Sequence, residues 1–310
     1  MESVSTNHKS NSPKTCFLEF TQSVIDELDQ FGKIRTAETY RSTLNSFRKF
    51  YKRKSLPFKK VDAKLMLSYQ NYLVQKGLNM NSISFYNRIL RAVYNRAIGK
   101  NLIKNKNPFK HVYTGVDKTL KRAISLPYIK KIKNLKFPEG STEELAKDIF
   151  MFSFYTRGMS FIDISYLQKK DLKNGILTYR RRKTGQILFI RWEPCMEDIV
   201  NKYFNPDSPY LLPIITAEGE NGRKQYILKS HKINEALKRI GKKINLETPL
   251  TMYVARHSWA SIAQHKRIPL SVISKGMGHD SEETTRIYLN SIDNNRIDRA
   301  NSMILKSLIE

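Results

Sequence analysis

The sequence predicts a two-domain α+β protein, mainly helical, with one small β-hairpin. Three observations carry this reading. Helical periodicity is nearly continuous over residues 17–99. It fails over residues 101–120, where Pro108, Gly115 and scattered Lys and Asn leave no period. It then resumes, and only residues 176–192 carry a β pattern. A chain of 310 residues suits two domains, and 40% hydrophobic residues are enough for two cores. The expected division is a disordered leader at 1–14, a helical domain at 15–103, a linker at 104–122 and a second domain at 123–310.

In the first domain, Thr36 is placed to cap a helix whose apolar positions Tyr40, Leu44, Phe47 and Tyr51 fall on one face. Residues 63–75 read as a helix. Residues 82–98 read as another, with Tyr86, Leu90, Val93 and Ala97 on one face and Gly99 as its C-cap. Basic residues stud the first and last of these: Arg41, Arg48 and Lys49, then Arg88 and Arg91. An ordinary solvated face would look similar, but the arrangement is what a DNA-gripping bundle needs, since phosphate contacts give affinity and register.

In the second domain a helix is signalled at 125–132, with Ser125 as N-cap and Pro127 in the first turn. Helices follow at 143–155 and 161–167. Residues 176–192 read as a hairpin, with Leu177, Tyr179, Ile187, Phe189 and Trp192 around a turn at Lys183-Thr184-Gly185-Gln186. The remainder reads as helices at 233–243, 254–264, 270–276, 282–289 and 295–308. The last carries an apolar stripe, Ile297, Ala300, Ile304 and Leu308.

The formal charge is +27, from 55 Lys+Arg against 28 Asp+Glu. A surplus of that size calls for a polyanion, and nucleic acid is the usual one. No run approaches the roughly 20 apolar residues that span a bilayer. The polar start carries no secretory signal. Cys16 and Cys195 stand alone, which argues against a disulfide framework or a zinc site and for a reducing, cytoplasmic setting.

Cutting a phosphodiester without a metal needs an oxygen nucleophile, fixed cations for the non-bridging oxygens and an acid for the departing 5′ oxygen. Guanidiniums hold such oxygens through an always-charged, bidentate fork. Tyrosine can store the bond as a phosphotyrosine. The second domain contains these parts in order. Arg157 lies in Tyr155-Thr156-Arg157-Gly158. Lys183 lies at the hairpin tip, flanked by Arg180 and Arg182. Arg256 lies in Tyr253-Val254-Ala255-Arg256-His257-Ser258. His279 lies in Gly276-Met277-Gly278-His279, and Tyr288 follows nine positions later. Singly, each has a bland reading. Among 16 tyrosines one near a His is expected by chance, and Arg157 could simply pair with Asp163.

Together, and in this order, they resemble the tyrosine recombinases of the phage-integrase family, across nearly the whole chain from Phe17 onward. The resemblance implies a helical, SAM-like core-binding domain joined to a tyrosine-recombinase catalytic domain, without an arm-binding domain. It implies that Tyr288 attacks the scissile phosphate to form a 3′-phosphotyrosyl link, with neither metal nor other cofactor and no ATP. Arg157 and Arg256 would clamp the non-bridging oxygens, Lys183 would protonate the leaving oxygen, and His279 would hydrogen-bond the phosphate. Asp163 would brace the arginines. Arg41, Arg48, Lys49, Arg88, Arg91, Arg180 and Arg182 would grip DNA. Two departures stand out. Where the family has a His three residues before the second Arg, this chain has Tyr253, a poor base at neutral pH. The interval from Arg157 to Asp163 is also longer than the family's.

The implied activity is site-specific integration, excision or inversion of DNA. The implied partners are duplex DNA with inverted half-sites, a homotetramer on that DNA from a free monomer, and an accessory DNA-bending protein. The alternatives are a type IB topoisomerase-like relaxing activity and a silent DNA-binding protein on the same fold.

Overall fold

The computed structural model describes residues 16–117, 122–216 and 219–289, with the backbone alone at 219–220 and 287–289. The leader expected at 1–14 and the helix expected at 295–308 lie outside the described residues. The chain divides into two compact units, Met1–Thr119 and Leu120–Glu310.

The first unit packs four helices, α1 (Phe17–Gln30), α2 (Ile34–Tyr51), α3 (Ala63–Gln75) and α4 (Met80–Gly99). Its centre is aromatic. Phe17 meets Phe58 edge-on at 5.6 Å between ring centroids, and Phe47 meets Tyr69 at 4.9 Å, geometries that the ring quadrupoles favour. Asp62 and Asn79 cap α3 and α4 by accepting from the amides of Leu65 and Ser82, each at 2.8 Å.

Three local expectations change. The second helix begins at Ile34, so Thr36 is an internal residue of its first turn and not its cap. The fourth begins two residues early, because Asn79 is the better cap. Gly99 ends it in ordinary helical geometry, and the left-handed residue that turns the chain is Asn101, at φ 57°.

The segment expected to be a plain linker is strapped to the first unit. Phe109 and Val112 are buried in its core. Residues 81, 84 and 87 recur on one face of α4 and bind the strap in turn. Asn81 exchanges two hydrogen bonds with the Asp117 backbone, Ser84 donates to the Gly115 carbonyl at 2.6 Å, and Asn87 donates to the Tyr113 carbonyl at 3.0 Å. Polar side chains therefore satisfy backbone groups that an irregular segment cannot pair by itself.

The second unit holds α5 (Leu126–Asn134), α6 (Thr142–Tyr155), the short α7 (Phe161–Ser165), and strands β1 (Leu172–Lys173), β2 (Ile176–Arg180) and β3 (Ile187–Arg191). Helices α8 (Pro194–Lys202), α9 (Gly219–Lys243), α10 (Met252–His265), α11 (Leu270–Met277) and α12 (Glu282–Leu289) follow. The sheet is antiparallel in the order β1-β2-β3, with Leu177 opposite Ile190 and Tyr179 opposite Leu188. Helix α6 starts with charged residues but is buried on all sides from Asp148 to Ser153, because it is the central post, packed against α9 and α10. Helix α8 was not expected, although Pro194 in its first turn and buried Met196, Ile199 and Val200 are ordinary helix signals. Among the described residues no helix is long and apolar enough to cross a membrane.

Candidate active site

Two helix ends build the centre of the site. Helix α6 closes at Thr156, whose hydroxyl donates to the Phe152 carbonyl at 2.7 Å, and the Gly158 amide reaches back to Ser153 at 2.8 Å. Arg157 and Gly158 both take left-handed backbone, at φ 61° and 75°. For Arg157 that geometry is strained, a condition that persists where surrounding structure enforces it. Helix α11 ends the same way. Gly278 is left-handed at φ 64°, and the His279 amide reaches back to Ser274 at 3.1 Å. The two turns match bond for bond, with Arg157 taking in the first the left-handed place that Gly278 takes in the second.

Between these turns lies Arg256 on α10, only 4% exposed. Its Nη1 donates to the Gly158 carbonyl at 2.8 Å, its Nη2 donates to the Met277 carbonyl at 2.7 Å, and Nη2 lies 2.8 Å from His279 Nε2. These three partners are neutral. Gly158 is indispensable to the approach. A Cβ there would stand 2.7 Å from Arg256 Cα and 2.9 Å from its Cγ. Arg157 reaches the same region, with its Cδ 3.6 Å from where a Cβ on Gly276 would stand.

The protonation of His279 follows from its partners. A guanidinium only donates, so Nε2 must accept, and the ring proton sits on Nδ1, 2.7 Å from the Thr285 hydroxyl. Burial, then the charges of Arg256, Arg181 and Lys183, push His279 down to about 3. It is a neutral imidazole that orients Arg256. Thr285 is fully buried on α12, and sequence reasoning did not single it out.

Lys183 is exposed on the hairpin turn, within electrostatic reach of His279. The buried Tyr179 phenol stands well above its ordinary range, through burial first and then Asp163, with the guanidiniums of Arg256, Arg181 and Arg157 opposing. Three arginines and one lysine therefore converge around Tyr179 and His279. Helix α12, packed on α10 and α11, carries Tyr288 in its last turn. The Tyr288 side chain lies outside the described residues.

Asp163, Tyr253 and His257 have other contacts of their own. Asp163 is buried, but its carboxylate accepts from the Ser160 hydroxyl at 2.6 Å and from the Arg182 amide at 2.9 Å. Through these bonds it braces the hairpin, and it acts on Tyr179 together with the three arginines. Tyr253 is 44% exposed, its ring edge-on to His257 at 4.4 Å, with Arg122 over its face. Burial first, then Arg122 and Arg256, push His257 down to about 4.

The basic residues expected on DNA divide in two. Arg48, Lys49 and Arg88 are exposed on α2 and α4. Arg41 pairs with Asp29 at 2.5 Å, and Arg91 donates to Thr114 at 3.1 Å. Arg180 donates to the Gly185 carbonyl at 2.7 Å, and Arg182 lies over the Tyr166 ring at 3.6 Å. These four partly serve to hold their own fold. Among the described residues no group of three or more His, Cys, Asp or Glu could hold a metal ion.

A buried arginine held by two carbonyls and an imidazole beside further cations suits a phosphodiester, and comparison with known proteins points the same way. Residues 16–114 match the phage integrase SAM-like domain, and residues 155–295 match the phage integrase family itself. This chain belongs to the phage integrase family, the tyrosine recombinases. It is a site-specific DNA recombinase of the tyrosine type, an enzyme that cleaves and rejoins DNA.

Tyrosine recombinase XerA of Pyrococcus furiosus is 25% identical over 219 residues, covering 69% of this chain and 71% of the relative. XerA of Saccharolobus solfataricus is 28% identical over 118 residues, covering 38% of this chain and 36% of the relative. Among solved structures, a lambda integrase dimer bound to a core site matches with a TM-score of 0.65 at 16% identity, covering 87% of this chain and 75% of that one. The Tn1549 transposon integrase in complex with a circular intermediate DNA matches at 0.68 and 15% identity, covering 94% and 99%. A lambda integrase tetramer bound to a Holliday junction matches at 0.67 and 15% identity, covering 91% and 82%. At such identities these structures speak for the fold.

Proposed function

We propose that this recombinase exchanges strands through Tyr288, with Arg256 as the principal phosphate clamp. The supporting observation is Arg256 itself, held by two carbonyls and an imidazole between the Arg157-Gly158 turn and the Gly278-His279 turn. Tyr288 Oη attacks phosphorus, forming the phosphotyrosyl bond as the bond to the 5′ oxygen breaks. That oxygen keeps the electron pair and takes a proton from Lys183. Arg256 and Arg157 hold the non-bridging oxygens, and His279 keeps Arg256 aimed. Tyr253 is a poor base at neutral pH, and His257, at about 4, is a weak one. The Tyr288 proton therefore passes to water. A 5′ hydroxyl of the partner strand reverses the step, and the stored ester supplies the energy for resealing.

The substrate we propose is a duplex with inverted half-sites, bound by Arg48, Lys49 and Arg88 of the first unit with Arg41, Arg91, Arg180 and Arg182 in support. Four subunits assemble on it from free monomers, and the reaction moves or inverts a mobile segment at the nucleoid, assisted by a DNA-bending protein. Nothing in the site favours a silent DNA binder or a topoisomerase.

The test is expression of wild type and Tyr288→Phe in the source cell, followed by long-read sequencing. Reciprocal junctions at short repeats, present with wild type alone, are expected. The same junctions in both strains would exclude strand exchange by this chain.

A further inference from the structure

We infer that Arg181 is a positioning residue. Together with Gln186 it latches the hairpin turn that carries Lys183 onto the turn that carries His279, fixing where the proton donor stands. This rests on the proposed role of Lys183.

Three consecutive arginines precede Lys183, and they are not equivalent. Arg180 and Arg182 are exposed, whereas Arg181 is 6% exposed and donates through Nη1 to the Gly278 carbonyl. A buried guanidinium is costly unless its donors are satisfied, so this position is specified by what it binds. Across the turn, the Arg181 amide donates to the Gln186 carbonyl and the Gly185 amide to the Arg181 carbonyl, both at 2.8 Å. The Gln186 side chain then donates to the Asp280 carboxylate at 3.0 Å. Arg181 and Gln186, which pair through their backbones across the turn, are therefore also the two whose side chains grip residues 278 and 280.

Gly278 is shaped for this docking. A Cβ there would stand 2.8 Å from Leu188 Cδ1, 3.2 Å from Gln186 Oε1 and 3.3 Å from Arg181 Cδ. Asp163 holds the Arg182 amide from the other side. The stem is pinned on three sides, and Lys183 projects from it as the exposed residue after Arg182. A general acid contributes about 10²–10⁴ in rate only from hydrogen-bond distance. A misplacement of about 1 Å can cost roughly 10²-fold. Two strands alone would leave such a tip mobile, and the latch ties it to the imidazole that aims Arg256.

The experiment compares cleavage of two site-bearing duplexes, one ordinary and one with sulfur in place of the bridging 5′ oxygen at the scissile position. A thiolate leaves without a proton, so that substrate bypasses the acid. Lys183→Ala should lose roughly 10²-fold or more on oxygen and recover on sulfur. Arg181→Gln should show the same pattern, with DNA binding retained, whereas Arg256→Lys should fail on both. Equal loss by Arg181→Gln on both substrates, or no loss on oxygen, overturns the latch. Should Arg181→Gln bind no DNA, Gln186→Ala decides, because it cuts the latch at its exposed rim. A smaller defect confined to oxygen supports the inference, and equal loss on both, or none, overturns it. If Lys183→Ala does not recover on sulfur, the proposed role of Lys183 fails and the latch falls with it, whatever the Arg181 result.

Discussion

The two units use basic side chains in opposite ways. In the first, Arg48, Lys49 and Arg88 stand exposed on helix faces. In the second, Arg256 and Arg181 are buried and held by backbone carbonyls at helix ends. An exposed cation contributes attraction that a neighbour can replace, and salt screens it. A buried, hydrogen-bonded guanidinium is fixed in space, so it can stabilise charge that develops at one point. On the roles proposed for these residues the difference separates affinity from chemistry, and it can be attacked from both sides.

The largest effect is expected at Arg256. Arg256→Lys cannot span Gly158, Met277 and His279 together, so cleavage should fall roughly 10²–10³-fold with DNA affinity little changed. Arg48→Lys in the first unit should leave the cleavage rate at saturating protein within about twofold of wild type. Single-turnover cleavage measures both, and equal sensitivity would erase the contrast.

Next come two left-handed glycines. Gly158→Ala forces a Cβ to 2.7 Å from the Arg256 backbone, while Gly77, at φ 74°, has open space around it. Denaturant unfolding should show a loss of about 3 kcal/mol for Gly158→Ala and about 1 kcal/mol for Gly77→Ala. Equal losses would mean that the backbone angle alone matters and that Arg256 is not tightly seated.

The pH response follows from His279, held at about 3 when its ordinary value is 6.5. Between those values the unfolded chain binds a proton that the folded chain refuses. Stability is therefore full above pH 6.5 and falls as pH drops toward 3, with a slope approaching about 1.4 kcal/mol per unit. His257, at about 4, acts in the same direction. Unfolding of the second unit at pH 7 and pH 5 should show this loss, and His279→Gln should flatten it. An unchanged slope in that variant would place the proton elsewhere.

The smallest effect is expected on the exposed faces. Arg88→Ala should weaken DNA binding a few-fold and lower the slope of log affinity against log salt by about 1. Arg41→Ala should do less, because Asp29 already holds that guanidinium. A larger effect at Arg41 than at Arg88 would move the DNA-facing surface.

Much of this was legible in the sequence. The motif order pointed to Arg157, Lys183, Arg256 and His279, which the fold brings near one another, and apolar periodicity carried most helices, with α3 and α12 matching to the residue. Failures came where competing polar groups decide. Thr36 and Asn79 are both acceptable caps, and packing placed one inside its helix and the other at the start of its own. The strap at 104–117 has no periodicity because its bonds run through Asn81, Ser84 and Asn87, side chains that also suit a solvated helix face. Arg181 could have been found. Leu177 and Tyr179 face the core, and two residues further along the same face is Arg181. Charge hid it, since a run of arginines reads as solvent-facing. Thr285 left no such signal, because its partner His279 turns toward it only once α11 has ended at Gly278.

The central claim is that Tyr288 is the nucleophile, and trapping the intermediate tests it most directly. Wild-type protein is incubated with a site-bearing duplex nicked so that the cleaved fragment diffuses away, then denatured and digested for mass spectrometry. The account predicts a covalent adduct with a 3′ phosphate on the peptide containing Tyr288, absent in Tyr288→Phe although that variant still binds the duplex. An adduct that persists in Tyr288→Phe, or that maps to another residue, would contradict it.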